Sequence, residues 1–221
     1  MLVRAVSVSF TIMATQVSLC NLALDRVSEK PITTIADVTP RAEACAREYQ
    51  DTLDAILRRA FWSFAIVRSS LTVNSTAPAF GYDYAFDLPT DCIRLETVNN
   101  AAAEDYNAQS RYKKEAGQIL TNESVCNVTY VSRRLSSPDD VDTLPGLMDP
   151  LFIQAFASLL GAAIAPTVKN DGTNYATGLL NRYNLELGIA KVHNSRERKR
   201  RTIGERTESR LISARRNSTK G

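Results

Sequence analysis

Residues 61 to 95, FWSFAIVRSSLTVNSTAPAFGYDYAFDLPTDCIRL, contain a change of hydrophobic period that decides how the chain is built. Upstream of it, Tyr49, Leu53, Ile56, Leu57 and Ala60 recur at helical spacing. Within it, Tyr82, Tyr84, Phe86 and Leu88 recur at every second residue, as one face of a strand does. Pro89 then stops that strand, because proline has no amide to donate to a ladder. The stretch holds the chain's one Trp and several Phe and Tyr, but no His, no Glu and no pair of cysteines. Trp62, Phe64, Tyr82, Tyr84, Phe86 and Pro89 are therefore expected as structural core, with no catalytic part.

Working outward, helical signals lie on both sides. A first helix is expected over residues 15–27, with Val17, Leu19, Cys20, Ala23, Leu24 and Val27 as its apolar stripe. Thr39 followed by Pro40 is a helix start: the hydroxyl caps free amides, and proline lacks the amide that would go unpaired. That second helix is expected over 40–62. Residues 64–134 read as a β insertion of five candidate strands (FAIVRSSLTV, YDYAFDL, CIRLETV, RYKKEAGQILT and VCNVTYVSR) separated by Asn, Ser, Pro and Gly turns. With no helical segment between them, one antiparallel sheet with a solvated face is expected. Asp149-Pro150 repeats the cap-then-proline start and opens a third helix over 150–165, which Pro166 is expected to end. A fourth follows over 171–192, with Tyr175, Leu179, Leu180, Tyr183 and Leu187 as its stripe. The expected fold is α+β: a four-helix bundle with an inserted antiparallel β-sheet, preceded by a flexible extension (1–14) and followed by a basic C-terminal arm (193–221).

Charge is unevenly placed. From Lys191 to Gly221 there are eleven Lys and Arg against three Glu, a net of +8, whereas the preceding residues carry sixteen basic and twenty-one acidic side chains, a net of −5. A mildly acidic body with a basic arm points to an acidic partner. The arm has no aromatic residue to stack on bases, so docking onto an acidic protein surface is favoured over direct phosphate binding.

Several chemistries lack their parts. His193, the one histidine, falls in the polar arm, so Ser-His-Asp and Cys-His mechanisms have no base in the body. Neither GxxxxGK[ST] nor GxGxxG occurs. Cys20, Cys45, Cys92 and Cys126 never approach CxxC spacing, which argues for free buried thiols and against zinc. Asp139, Asp140 and Asp142 read as a solvated acidic turn without a spaced Glu partner. No catalytic, metal or cofactor site is expected. Residues 1–12 make a poor signal peptide, with a single Arg and an apolar run broken by Ser and Thr, and no apolar run reaches the length of a membrane span.

The order of specific segments adds a further signal. NLALDRVSEKPITTIAD (21–37), Cys45, Tyr49 and Leu57 come first, then Trp62-Ser63-Phe64-Ala65, Gly81-Tyr82-Asp83-Tyr84-Ala85-Phe86 and Leu88-Pro89-Thr90-Asp91-Cys92-Ile93-Arg94. YVSRRL (130–135), the apolar helix and LLNRYNLELGIAKVHN (179–194) complete the series. Together they resemble the head-to-tail adaptors of short-tailed bacteriophages, also called tail tubular protein A. Ser28 departs from the pattern, standing where a Gly is expected after the first helix, and residues 1–12 have no counterpart in it. The resemblance implies a structural virion protein without enzymatic activity. It would form a homo-oligomeric ring of about twelve copies between the portal protein and the tail nozzle protein, and genomic DNA would pass through the channel without specific binding. On that reading Arg196, Arg198, Lys199, Arg200, Arg201, Arg206, Arg210, Arg215 and Arg216 are the expected portal contacts. Asn99, Asn100, Glu104, Asp105 and Tyr106, on a loop of the β insertion, are the expected nozzle contacts. The alternative is a nucleic-acid-binding protein that uses the basic tail.

Overall fold

The structure, a computed structural model, describes residues 15–102, 111–133 and 147–198. Expectations for residues 1–14, for Glu104, Asp105 and Tyr106, for Asp139, Asp140 and Asp142, and for the arm from Lys199 onward lie outside the described residues. What is described is a mixed α+β fold of four helices and two small antiparallel sheets.

The helices are α1 (Gln16–Arg26), α2 (Pro40–Arg58), α3 (Pro150–Val168) and α4 (Gly172–Arg198). Their starts follow the sequence signals. The Ser18 amide donates to Thr15 Oγ1 at 3.1 Å, the Ala42 amide to Thr39 Oγ1 at 3.3 Å, and the Leu151 amide to Asp149 Oδ1 at 2.7 Å. Helix α3 is the hub, packing on α1, α2 and α4, while α1 and α2 barely touch. Its small residues allow this: a Cβ on Gly161 would sit 3.1 Å from Leu179 Cδ1 and 3.3 Å from the Ala23 carbonyl. By length and mean hydropathy (1.8) α3 does match a membrane span, contrary to the sequence expectation. Its burial by three neighbouring helices accounts for that apolarity.

Two helix ends differ from expectation. Helix α2 stops at Arg58, four residues early, because the chain turns extended at Trp62 (φ −73°, ψ 123°) and folds the indole back under the last turn. There the indole N–H donates to the Ile56 carbonyl at 3.1 Å. Helix α3 runs through Pro166 to Val168. Proline removes one amide bond, but a single turn follows it, and the Lys169 amide closes that turn on the Ala165 carbonyl at 3.0 Å.

Among the described residues the β insertion holds seven strands: β1 (Ile66–Leu71), β2 (Tyr84–Asp87), β3 (Cys92–Val98), β4 (Ala101–Ala102), β5 (Tyr112–Glu115), β6 (Gln118–Thr121) and β7 (Cys126–Ser132). They form two sheets, ordered β1-β7-β3-β4 and β2-β6-β5, where one was expected. RYKKEAGQILT is a hairpin, not a single strand: Ala116 and Gly117 both have positive φ (46° and 80°), which makes a two-residue turn of the hairpin type. The alternation of apolar residues divides the core accordingly. Phe86, Leu95, Val98, Tyr112, Ile119, Cys126, Val128 and Tyr130 cluster between the sheets, whereas Ile93 and Val131 point into the helical core. A register shift between Leu95 and Thr97 keeps Val98, three residues on, in the same cluster as Leu95.

Of the expected core residues, Trp62 and Phe86 are fully buried, and Phe64 and Tyr84 are half-buried against the two cores. Tyr82 and Pro89 are half-exposed and belong to neither cluster. The strand starts only at Tyr84, after Gly81 (φ 86°), so Tyr82 lies on the turn leading into it.

Candidate interaction surfaces

Each surface with docking potential is held by a joint, and the joints begin at the helix-to-sheet junction. Trp62 meets the Phe152 ring edge-on at 4.9 Å and stacks on Phe64 at 6.0 Å, so the end of α2 is fastened to the start of α3. The Arg94 guanidinium lies 4.0 Å over the Phe61 ring, and Arg58 Nη1 donates to the Ile93 carbonyl at 2.8 Å, fastening β3 to the same corner. Asn194, buried near the end of α4, closes it: Nδ2 donates to the Phe61 carbonyl at 2.9 Å, and Oδ1 accepts from the Ser63 amide at 2.8 Å. The final turns of α4 are thereby locked to the junction, and with them the point from which the basic arm departs.

A second joint orients α4. Arg26, at the end of α1, donates from Nη1 to the Gln154 carbonyl at 2.7 Å and to Glu186 Oε2 at 3.0 Å, and it also contacts Ser158 Oγ and Gln154 Oε1. Ser158 Oγ donates to Glu186 Oε2 at 2.6 Å, and Arg182 Nε to Oε1 at 2.8 Å. Burial lowers the Arg26 guanidinium pKa, partly offset by Glu186. Burial alone would raise the Glu186 carboxyl, but the bonds from Ser158, Arg182 and Arg26 outweigh it and hold the carboxyl below its ordinary value.

Helix α4 extends six residues past the expected boundary at 192. Among the expected portal contacts, Arg196 stands exposed on its last turns and Arg198 ends it; Lys199, Arg200, Arg201, Arg206, Arg210, Arg215 and Arg216 lie outside the described residues. The buried stripe of α4 is Leu179, Tyr183, Leu187, Ala190 and Asn194. Tyr175 and Leu180, expected in it, are instead exposed. Sequence reasoning also missed a second apolar stripe, Leu185, Ile189 and Val192, on the outer face. Its i, i+4, i+7 spacing was the available signal, masked because the two stripes interleave.

At the far end of the sheets, the β3–β4 turn uses Asn99 and Asn100, both with positive φ (47° and 66°), which Asn tolerates well. Asn99 Nδ2 donates to the Val125 carbonyl at 2.8 Å and contacts Glu123 Oε2, while Oδ1 accepts from the Asn127 amide at 2.7 Å. The Asn99 side chain is thus occupied internally, which leaves Asn100 as the outward member of the expected pair. On the neighbouring loop Phe80 is 88% exposed, just before Gly81.

Among the described residues no group of three or more His, Cys, Asp or Glu is placed to hold a metal ion. All four cysteines are free thiols. Cys20 on α1 and Cys45 on α2 lie together in the core; the Cys45 partner, with burial, raises the Cys20 pKa, whereas the Cys20 partner lowers that of Cys45 against the opposing effect of burial. No protein-family model matches the chain, and no curated protein matches it in sequence.

Proposed function

We propose that the chain is a structural adaptor of the head-to-tail joint in a short-tailed bacteriophage. Its four helices act as a bundle that docks on the portal, and its sheets project toward the tail nozzle. The observation that carries this reading is the ordered series of segments resembling that family, and where its residues fall. Asn21 pairs both ways with the Ile32 backbone, at 2.8 and 3.0 Å. Trp62 bonds to the end of α2, and Asp91 Oδ1 accepts from Tyr130 Oη at 3.1 Å. These residues make joints between elements and present no reactive group, as suits a protein that acts through its surfaces.

Copies arranged head to tail would close a ring of about twelve. The basic arms would grip acidic portal surface, and the mildly acidic bodies would keep passing DNA from adhering. The decisive experiment is electron microscopy of the protein alone and mixed with portal protein, where rings seated on portals are expected. Deleting residues 196–221 should abolish seating and leave the body folded; normal assembly of the truncated chain would refute the role of the arm. DNA affinity that falls steeply with salt in the isolated protein, with no portal binding, would favour the nucleic-acid reading instead.

A further inference from the structure

Helix α4 carries a feature that its own fold does not use. Leu185, Ile189 and Val192, one above another on its outer face, are 72%, 52% and 50% exposed. They point away from the Leu179, Tyr183 and Leu187 stripe that packs on α3. Scattered exposed apolar residues are ordinary, but a contiguous helical row is not. Gly178 and Gly188 lie exposed in the same helix, with nothing within 4 Å of where a Cβ would be. Glycine disfavours a helix interior, and among the described residues neither packing nor backbone angle requires it there. Bare backbone beside an apolar row is what another helix needs for close approach.

The charges select the occupant. Over Gly172–Arg198 the helix has four Lys and Arg and two acids, a net of +2, and one of the acids, Glu186, is already bonded to Arg26, Ser158 and Arg182. The row ends in a shallow groove of about 530 Å³ lined by Lys191, Val192, Ser195 and Arg196. A two-fold α4–α4 pair fits poorly: antiparallel pairing about Ile189 sets Arg182 against the other copy's Arg196, like charge on like.

We propose that the outer face of α4 is a docking groove for an acidic amphipathic helix of a protein partner, with Leu185, Ile189 and Val192 as anchors and Arg182 and Arg196 as the charged rim. This deepens the reading of α4 and its arm as the docking end and rests on it. The body of the protein then contributes directly to docking, and the arm extends a contact that the helix begins.

The test uses the full chain and a labelled designed helix of about twenty residues, with leucines at i, i+3, i+4 and i+7 and glutamates on the flanks. Its counterpart carries lysines on the flanks, and binding is read by fluorescence anisotropy. The acidic helix should bind, and Leu185→Asp with Ile189→Asp should weaken it about tenfold or more. Gly188→Leu, which favours the helix, should weaken it too, and Arg196→Gln should flatten the salt dependence. Circular dichroism checks that each variant stays folded. Equal binding of the lysine-flanked helix, or variants without effect, would overturn the proposal. So would a dimer abolished by Leu185→Asp, or binding to phosphatidylglycerol vesicles without binding to the peptide. Failure of the adaptor reading shows separately, as absence of portal seating with peptide binding intact.

Discussion

Replacing Ser28 by Gly should stabilise the protein, and the reason lies in how α1 ends. After the C-cap Val27, Ser28 has φ 56°, in the left-handed region. The Ser28 amide donates to the Asp25 carbonyl and the Glu29 amide to the Leu24 carbonyl, both at 2.9 Å, so the conformation closes the helix and cannot be relaxed locally. An L-residue in that region costs roughly 1–2 kcal/mol. Glycine removes this cost, while its greater freedom in the unfolded chain returns roughly 0.4–1 kcal/mol. The Ser28 side chain is exposed, and the bond that Lys169 Nζ donates to this residue, 3.0 Å long, goes to its backbone carbonyl, which Gly keeps. The difference is roughly 0–1.6 kcal/mol, centred near 0.8, which is a rise in Tm of about 2–3 °C. Urea unfolding followed through the one tryptophan, buried Trp62, reads it directly. The midpoint should rise at unchanged slope, and Ser28→Val should lower it. If Ser28→Gly proved neutral or destabilising while Ser28→Val was tolerated, the argument from left-handed strain would be refuted.

Three other perturbations follow the same logic. At the tight corner between α3 and α4 a Cβ on Gly172 would overlap the Ala165 carbonyl and Pro166 Cα, so Gly172→Ala should cost about 1–3 kcal/mol in urea unfolding. The Glu186 carboxyl is held below its ordinary value of 4.5, so its stabilisation is present above that pH and lost as pH falls through the lower folded value. Glu186→Gln should therefore lie closest to wild type in acid and furthest below it near neutrality, a gap that denaturation at several pH values will measure. Cys92, the one cysteine not fully buried, should react first with maleimide, and slowly because burial raises its pKa. Cys20, Cys45 and Cys126 should label only as the chain unfolds, which mass spectrometry of timed samples resolves.

Much of the local structure was legible in the sequence because it depends on neighbouring residues. Thr15, Thr39 and Asp149 cap helices through bonds that reach two or three residues along the chain. The alternation in Tyr84–Asp87 and Cys126–Ser132 marks strands for the same reason. The Gly that the adaptor resemblance implies at Ser28 meets a requirement of the same local kind, a left-handed residue after a helix. Less was legible where side chains act over distance. The stop of α2 at Arg58 follows from Trp62 folding back onto Ile56, and Asn194 closes on Phe61 and Ser63 more than a hundred residues away.

By itself, then, the sequence determined the order of the helices, the position of the β insertion between them, the caps, the split of charge between body and arm, and the residues carrying the adaptor resemblance, but not the hairpin within RYKKEAGQILT or the short strand β4. Only the tertiary structure decided that the insertion forms two sheets, since which strands pair is settled by burial of Phe86 and Ile119 against Leu95 and Tyr130. It also decided which stripe of α4 faces inward. Both stripes have helical spacing, and only packing on α3 distinguishes Leu179, Tyr183 and Leu187, which it buries, from Leu185, Ile189 and Val192, which it leaves outside. Periodicity follows from the geometry of one element; burial depends on what that element meets.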